Sequence, residues 1–277
     1  MNCVIIIKNF LINDVLFING TNTNLKSDSY IYSVLHHIEQ LNASNLESSE
    51  IFYLKINPLI VCNFRIIIFF KCPWTKEVDK AITLAKKLNK KVLFDTDDLF
   101  FDAKYTNTKT YIQEYSLYEK PFNDKNIIQM KITLSLCEAA ITTNEIIAKE
   151  LKNYISEVFI NHNVASEEMW KLSENALENK MKNSSEIIIG YYNDNISDNS
   201  NIKIIVPYLT KIILEFKNVK LLFLGEQVLP NDLKDFSSQI IIKKFIDKKK
   251  IPELFAGIDI NIIPLKNCII NEAKSEN

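Results

Sequence analysis

Short apolar runs of strand length alternate along this chain with stretches in which apolar residues recur every three or four positions. In the first half the runs DVLFIN (14–19), IFYLKI (51–56), FRIIIFF (64–70), KVLFD (91–95), AAITT (139–143) and EVFIN (157–161) predict strands, being rich in β-branched and aromatic residues. Between them, YIYSVLHHIEQL (30–41) and TKEVDKAITLAKKLNKK (75–91) predict amphipathic helices, and the second closes in a lysine-rich turn that suits a helix C-terminus. Strands alternating with helices are the pattern of a parallel sheet covered by helices, so residues 1–165 read as one Rossmann-like domain.

A charged stretch of helical period, rich in Asn, Glu and Lys, follows, and residues 166–185 read as an interdomain connection. The alternation then resumes with EIIIGYY (186–192), IKIIVPYLTKIILEF (202–216), VKLLFLG (219–225), QIIIKKF (239–245), KKIPELFAGI (249–258) and DINIIPL (259–265). Residues 186–277 therefore read as a second Rossmann-like domain. It has about four strands and reaches NEAKSEN (271–277) with no closing helix, which reads as a domain cut short. The expected fold class is α/β, with two Rossmann-like domains, the second incomplete.

Composition narrows the function classes. The 277 residues are 47% hydrophobic and 24% charged, ordinary for a globular protein. Lys plus Arg (33) and Asp plus Glu (34) nearly cancel, leaving no net field to attract nucleic acid or an anionic membrane. Cys3, Cys62, Cys72, Cys137 and Cys268 show no CxxC spacing and read as buried free thiols of a reducing compartment. The most apolar stretch, residues 56–74, is broken by Asn63, Arg65 and Lys71, so no transmembrane helix is expected; the N-terminus lacks the basic leader of a signal peptide. A cytoplasmic location is expected, and any membrane association would be peripheral.

The densest candidate chemistry is VLFDTDDLFFD (92–102), a strand that delivers Asp95, Asp97 and Asp98 at its carboxyl end, where open α/β sheets bind ligands. A helix cap with solvated neighbours is the plain alternative. The Asp95 and Asp97 spacing also fits a haloacid-dehalogenase-like phosphatase, although Leu99 stands where such enzymes place Thr or Val and no later aspartate pair follows a strand. Glycine-rich phosphate loops are absent, since Gly20, Gly190, Gly225 and Gly257 are the whole complement. His36, His37 and His162 read as surface or satisfied residues; the adjacent pair points about 100° apart on a helix and cannot share a metal. At the end of the chain, Asn271, Glu272, Lys274, Ser275 and Glu276 follow a strand, where a lysine at a helix N-terminus suits a diphosphate and a carboxylate suits sugar hydroxyls.

Several strings, taken in order, resemble a bacterial group of family-4-like glycosyltransferases with the GT-B fold. They are residues 71–102, 137–169, IGYY (189–192), VKLLFLG (219–225) and residues 259–277. The resemblance implies a retaining sugar transfer from a nucleotide diphosphate sugar to a glycan, as in cell-surface polysaccharide assembly, without metal or other cofactor. It assigns Gly190, Tyr191, Asn271, Glu272, Lys274, Ser275 and Glu276 to the donor and turns Asp95, Asp97 and Asp98 toward the cleft as catalytic candidates. The chain departs from the group at Ile31 and Ser33, where arginines are usual in a YRYRV-like stretch, and at residues 192–201, where a Ser-Gly-His loop is usual. Those departures leave a degenerate, transferase-like binding module as the alternative.

Overall fold

The computed structural model describes residues 12–21, 28–106, 124–179, 185–192, 201–225, 229–243 and 248–274. The chain divides into two compact units. Among the described residues the first holds everything up to Ala165 together with Glu272–Lys274, and the second runs from Ser166 to Asn271.

The first unit is built on a six-stranded parallel sheet in the order β2-β1-β3-β4-β5-β6. Its strands are β1 (Asn13–Asn19), β2 (Ser48–Phe52), β3 (Phe64–Phe70), β4 (Lys91–Thr96), β5 (Ala139–Thr142) and β6 (Val158–Ile160). The helices are α1 (Asp28–Tyr30), α2 (His36–Ala43), α3 (Lys76–Lys87), α4 (Ala103–Thr106), α5 (Asp124–Leu136) and α6 (Glu145–Leu151), with a π-helical turn at Ile31–Leu35 between α1 and α2.

Strand periodicity decides which side chain goes where. Leu16, Ile18, Ile67, Phe69, Val92 and Phe94 face α3, α5 and α6, burying Val78, Ala81, Ile82, Ile127, Met130, Ile147 and Leu151. Their alternates Val15, Phe17, Ile68 and Leu93 face the α1–α2 side and pack on Tyr30, Val34, Ile38 and Leu41. Asp95 shares the parity of Leu93 and so lies on the α2 side. Helix α3 starts at Thr75, whose hydroxyl accepts from Val78 N–H (3.1 Å), and carries Glu77 and Asp79 in its first turn and Lys86 and Lys87 in its last, opposing the helix dipole.

In the second unit, α7 (Glu167–Glu178) leads into β7 (Ile187–Tyr192), α8 (Val206–Glu215), β8 (Val219–Leu224), β9 (Ile240–Lys243), α9 (Ile251–Ala256), β10 (Ile260–Asn261) and α10 (Ile269–Glu272). Its parallel sheet runs β10-β7-β8-β9. Ile189, Tyr191, Leu221 and Phe223 pack on Val206, Leu209 and Ile213, while Leu222 and Leu224 meet Ile258 on the other face. The protein is thus α/β with two Rossmann-like parallel sheets. No helix among the described residues is long and apolar enough to cross a membrane.

Three elements differ from expectation. IFYLKI pairs earlier, because the register sets Ser48 against Val15, and the chain leaves the sheet in a 3-10 turn at Tyr53–Lys55. DINIIPL is strand only at Ile260–Asn261: Ile262 N–H still reaches Gly190 O (2.9 Å), but Pro264 has no N–H to continue the ladder. Helix α5 has no clean apolar stripe, since Ile127, Met130 and Leu134 are buried while Ile128 and Ile132 stay exposed, and it has no counterpart in the sequence reading.

Two glycines fix close approaches. A Cβ on Gly20, which follows β1, would lie 2.1 Å from Lys71 O and 2.4 Å from Cys72 Cα; one on Gly190, within β7, would lie 2.3 Å from Ile258 Cδ1. Backbone cannot yield as a side-chain end can. Gly20→Ala is therefore expected to cost about 3 kcal/mol or more and Gly190→Ala only about 1 kcal/mol, measured by urea unfolding. Equal losses would contradict this packing account.

Candidate functional site

Both sheets contain a point where the strand order reverses, between β1 and β3 in the first unit and between β7 and β10 in the second. Connections leave such neighbouring strands in opposite directions, opening a crevice at their carboxyl ends that open α/β sheets use for ligands. In the first unit this edge carries Asn19, Gly20 and Thr21 after β1, and Lys71 and Cys72 after β3.

Lys71 is the centre of the edge. Its backbone is left-handed (φ 43°), an uncommon state for a non-glycine residue, and its N–H is held by Asp95 O at 2.8 Å. The side chain is buried and its ammonium forms ion pairs with Asp97 and, at 2.5 Å, with Asp98 Oδ2. It also donates to Ser29 Oγ (2.7 Å), which in turn donates to Asp97 Oδ2 (2.5 Å). Burial by itself favours the neutral amine, but the two carboxylates outweigh it and hold Lys71 protonated well above the usual lysine range.

The strand end shapes the carboxylates. Thr96 Oγ1 donates to Asp98 O (3.0 Å), and Asp98 Oδ1 accepts from Phe100 N–H (2.9 Å), so Asp98 closes its own turn while facing Lys71. The π-helical turn supplies a further contact, Ser33 Oγ to Asp97 Oδ2 at 3.3 Å. Such turns are frequent at functional sites. Ser33 is buried and occupies one of the two positions at which the resembling group carries arginine. Asp102 takes the plainer role of the cluster: it accepts from Lys104 N–H (3.0 Å) and from the Tyr154 hydroxyl at the start of α4.

The structure thus brings Asp97 and Asp98 together on Lys71. Asp95 is set apart. It is 3% exposed and lines a groove between α2 and the sheet, where burial first, and Asp97 second, push its carboxyl well above the usual range despite the nearby Lys71. Both adjacent histidines are satisfied: His36 Nδ1 meets Val164 O (2.7 Å), and His37 lies between Ser33 O (2.9 Å) and Asn161 Nδ2 (3.2 Å). Cys72 and Cys137 are buried free thiols, whereas Cys62 is exposed because it ends the 3-10 turn before β3, correcting the expectation of burial for that residue.

Among the donor candidates, Gly190 and Tyr191 lie within β7, and Asn271 lies in α10. Asn201, the first described residue after β7, ties this region together. Its Oδ1 accepts from Lys266 N–H (3.1 Å) and from Asn271 Nδ2 (3.5 Å), and Asn271 Nδ2 also donates to Lys266 O (3.0 Å). Glu272 and Lys274 are exposed and group with the first unit, where Ala273 is buried and its carbonyl accepts from Asn144 Nδ2 (2.9 Å). Lys274 follows α10 rather than opening a helix. Ser275 and Glu276 lie outside the described residues.

Lys71, Ser29, Ser33 and Asn19 are absent from the sequence reading. Lys71 entered it only as an interruption of an apolar run, yet a lysine that ends a buried strand, with aspartates ending the next strand, was the available signal.

No protein-family model matches the chain, and no curated protein matches it. Solved structures do align. The UDP-GlcNAc 2-epimerase of Methanocaldococcus jannaschii matches at 14% identity, over 87% of this chain and 76% of its own, with a TM-score of 0.41. UGT2 of Phytolacca americana, solved with UDP-2-fluoroglucose and pterostilbene, matches at 8% over 94% and 82%, with 0.45. MurG of Acinetobacter baumannii matches at 8% over 94% and 82%, with 0.36. At these scores the likeness carries no argument about chemistry, and the fold stands on the strand order itself.

Removing one member of a buried ion pair strands the others. Lys71→Met is expected to cost about 3–5 kcal/mol in urea unfolding, and adding Asp97→Asn and Asp98→Asn should recover most of it. Additive losses would show that the ammonium does not hold the two carboxylates. The folded value of Asp95 lies above its unfolded one, so its contribution to stability is lost as pH rises through that interval. Asp95→Asn should therefore melt above the wild type at about pH 8, with the difference shrinking towards about pH 3. A variant that melts lower at every pH would contradict the suppression of its acidity by burial.

Proposed function

We propose that this chain is a nucleotide-sugar-dependent glycosyltransferase of the family-4-like, retaining kind, acting in the cytoplasm on a glycan of a cell-surface polysaccharide. Residues 186–277 take the nucleotide diphosphate sugar and residues 1–165 take the acceptor. The observation that supports this reading most is the gathering of segments at the carboxyl edge beside the β7–β10 reversal. The chain after β7 and the chain after β10 are linked there through Asn201, Lys266 and Asn271, the last two within the string 259–277 that carries the resemblance. A crevice at a strand reversal is where an open α/β sheet takes a ligand.

In the proposed reaction the bond from the sugar's anomeric carbon to the diphosphate breaks. An acceptor hydroxyl oxygen bonds to that carbon on the same face, and its proton passes to the departing diphosphate oxygen. The leaving diphosphate gathers negative charge, so the main demand on the protein is fixed positive charge. Lys274 is the residue proposed for it, with Glu272 and Ser275 on the donor's hydroxyls. Asp97 and Asp98, ion-paired to the single Lys71 ammonium, keep a net negative charge and are suited to accept hydrogen bonds from acceptor hydroxyls at the β1–β3 edge. No metal or other cofactor is part of the proposal.

The arrangement disfavours the phosphatase reading. Such an enzyme needs Asp95 and Asp97 on one magnesium ion, whereas the cation at Asp97 is the Lys71 ammonium, and Asp95 lines a separate groove. The binding-module alternative draws on Ile31 and Ser33 standing where the resembling group has arginines.

Calorimetric titration with a panel of UDP-, GDP- and ADP-sugars should find at least one ligand, and Lys274→Ala should weaken its binding by roughly 1.5–3 kcal/mol, the range for hydrogen bonds to charged groups. Binding without any sugar transfer would favour the binding module. Absence of all nucleotide binding, with a magnesium-dependent phosphatase activity lost in Asp95→Asn, would overturn the proposal.

A further inference from the structure

A groove of about 600 Å³ runs along the α2 face of the first sheet, within the range of about 300–1,000 Å³ of small-molecule sites. It exists because the α1–α2 segment covers the β1–β3 side of this face, while among the described residues the floor near β6 stays open and leaves Phe159 49% exposed. Val15, Phe17, Ile66, Ile68, Leu93 and Ile141 form an apolar floor.

The charged groups stand at its two ends, and Gln40 and Ser44 of the α2 segment add uncharged polar groups along the wall. At the carboxyl end of the strands stands Asp95, its side chain buried on the groove wall beside His37 and Asn161. The His37 ring is committed to Ser33 O and Asn161, and burial keeps it below the usual histidine range, so it offers Asp95 no positive charge. The Lys71 ammonium is taken up by Asp97 and Asp98. At the opposite end are Glu138 and Glu157, with Lys91 3.9 Å from Glu138. The groove therefore has an apolar floor, a net negative lining and one buried carboxyl at its inner end.

We propose that this groove binds a small amphipathic amine, with its apolar body along the strands and its protonated nitrogen against Asp95. Charge complementarity selects the class. An anion would meet Asp95, Glu138 and Glu157, and a polyol would leave hydroxyls unpaired over the apolar floor, at a cost that apolar contact does not offset. The carboxyl of Asp95 already accepts from the backbone N–H of Thr96, and an ammonium adds the close counter-charge that the groove itself does not supply, while the alkyl part removes apolar surface from water. The site is independent of the proposed transfer reaction, since it rests on the α2 face and not on the strand edge.

The test uses hexylamine, hexan-1-ol and hexanoate, which share one apolar body, in calorimetry and amide NMR at about pH 7.5. Hexylammonium should bind at least ten-fold more tightly than hexanol, and hexanoate should bind least, a ratio set by the charged hydrogen bond. Asp95→Asn should bring the amine down to the affinity of the alcohol while leaving the alcohol unchanged. Phe159→Ala, at an exposed and fold-tolerant position, should weaken amine and alcohol alike. Equal binding of amine and alcohol to the wild type, undiminished amine binding by Asp95→Asn, or shifts confined to residues outside the groove would each overturn the proposal.

Discussion

The first unit's edge depends on one buried cation. A lysine ammonium placed out of water costs several kcal/mol unless its charge is met at close range, and here Asp97 and Asp98 meet it from the next strand. The pairing requires β3 and β4 to end level, Lys71 to turn left-handed so that its side chain folds over the sheet, and Gly20 to let β1 press against the Lys71 carbonyl. Ser29 and Ser33 are then drawn in by the remaining carboxylate lone pairs, which fixes the π-helical turn against the edge. Each of these features is costly alone and reasonable only together.

The same logic separates the aspartates. Strand alternation sends Asp95 to the α2 face, and the turn after β4 carries Asp97 and Asp98 to Lys71. Three carboxylates within four residues therefore do different work: two are ion-paired to Lys71 and hydrogen-bonded, and one is buried on an apolar groove wall. Proximity in sequence made them look like one cluster. The end of β4 at Thr96 divides them.

The fold was legible where burial on both faces leaves an unbroken apolar run. FRIIIFF is strand over its full predicted length, because its residues from Ile66 to Phe70 alternately serve two cores and only Arg65, near its start, faces solvent. It was illegible where register or a single residue decides: the sheet takes SSEIF instead of YLKI, and Pro264 shortens β10. Helix α5 was hidden because its exposed Ile128 and Ile132 blur the stripe. The candidate site was half legible. A strand ending in aspartates pointed to the right edge, but Lys71 lies in another strand and Ser29 and Ser33 in another connection, and only the strand order brings them together.

The most direct test of this account is the charge state of Lys71 itself. Side-chain 15N NMR, assigned with Lys71→Arg, should show a slowly exchanging ammonium that stays protonated at alkaline pH values where exposed lysines have lost most of their charge, and whose exchange quickens in Asp97→Asn. A Lys71 ammonium that titrates with the exposed lysines, and exchanges as fast as they do in the wild type, would mean that the buried ion pair does not exist and that the edge is organised by something else.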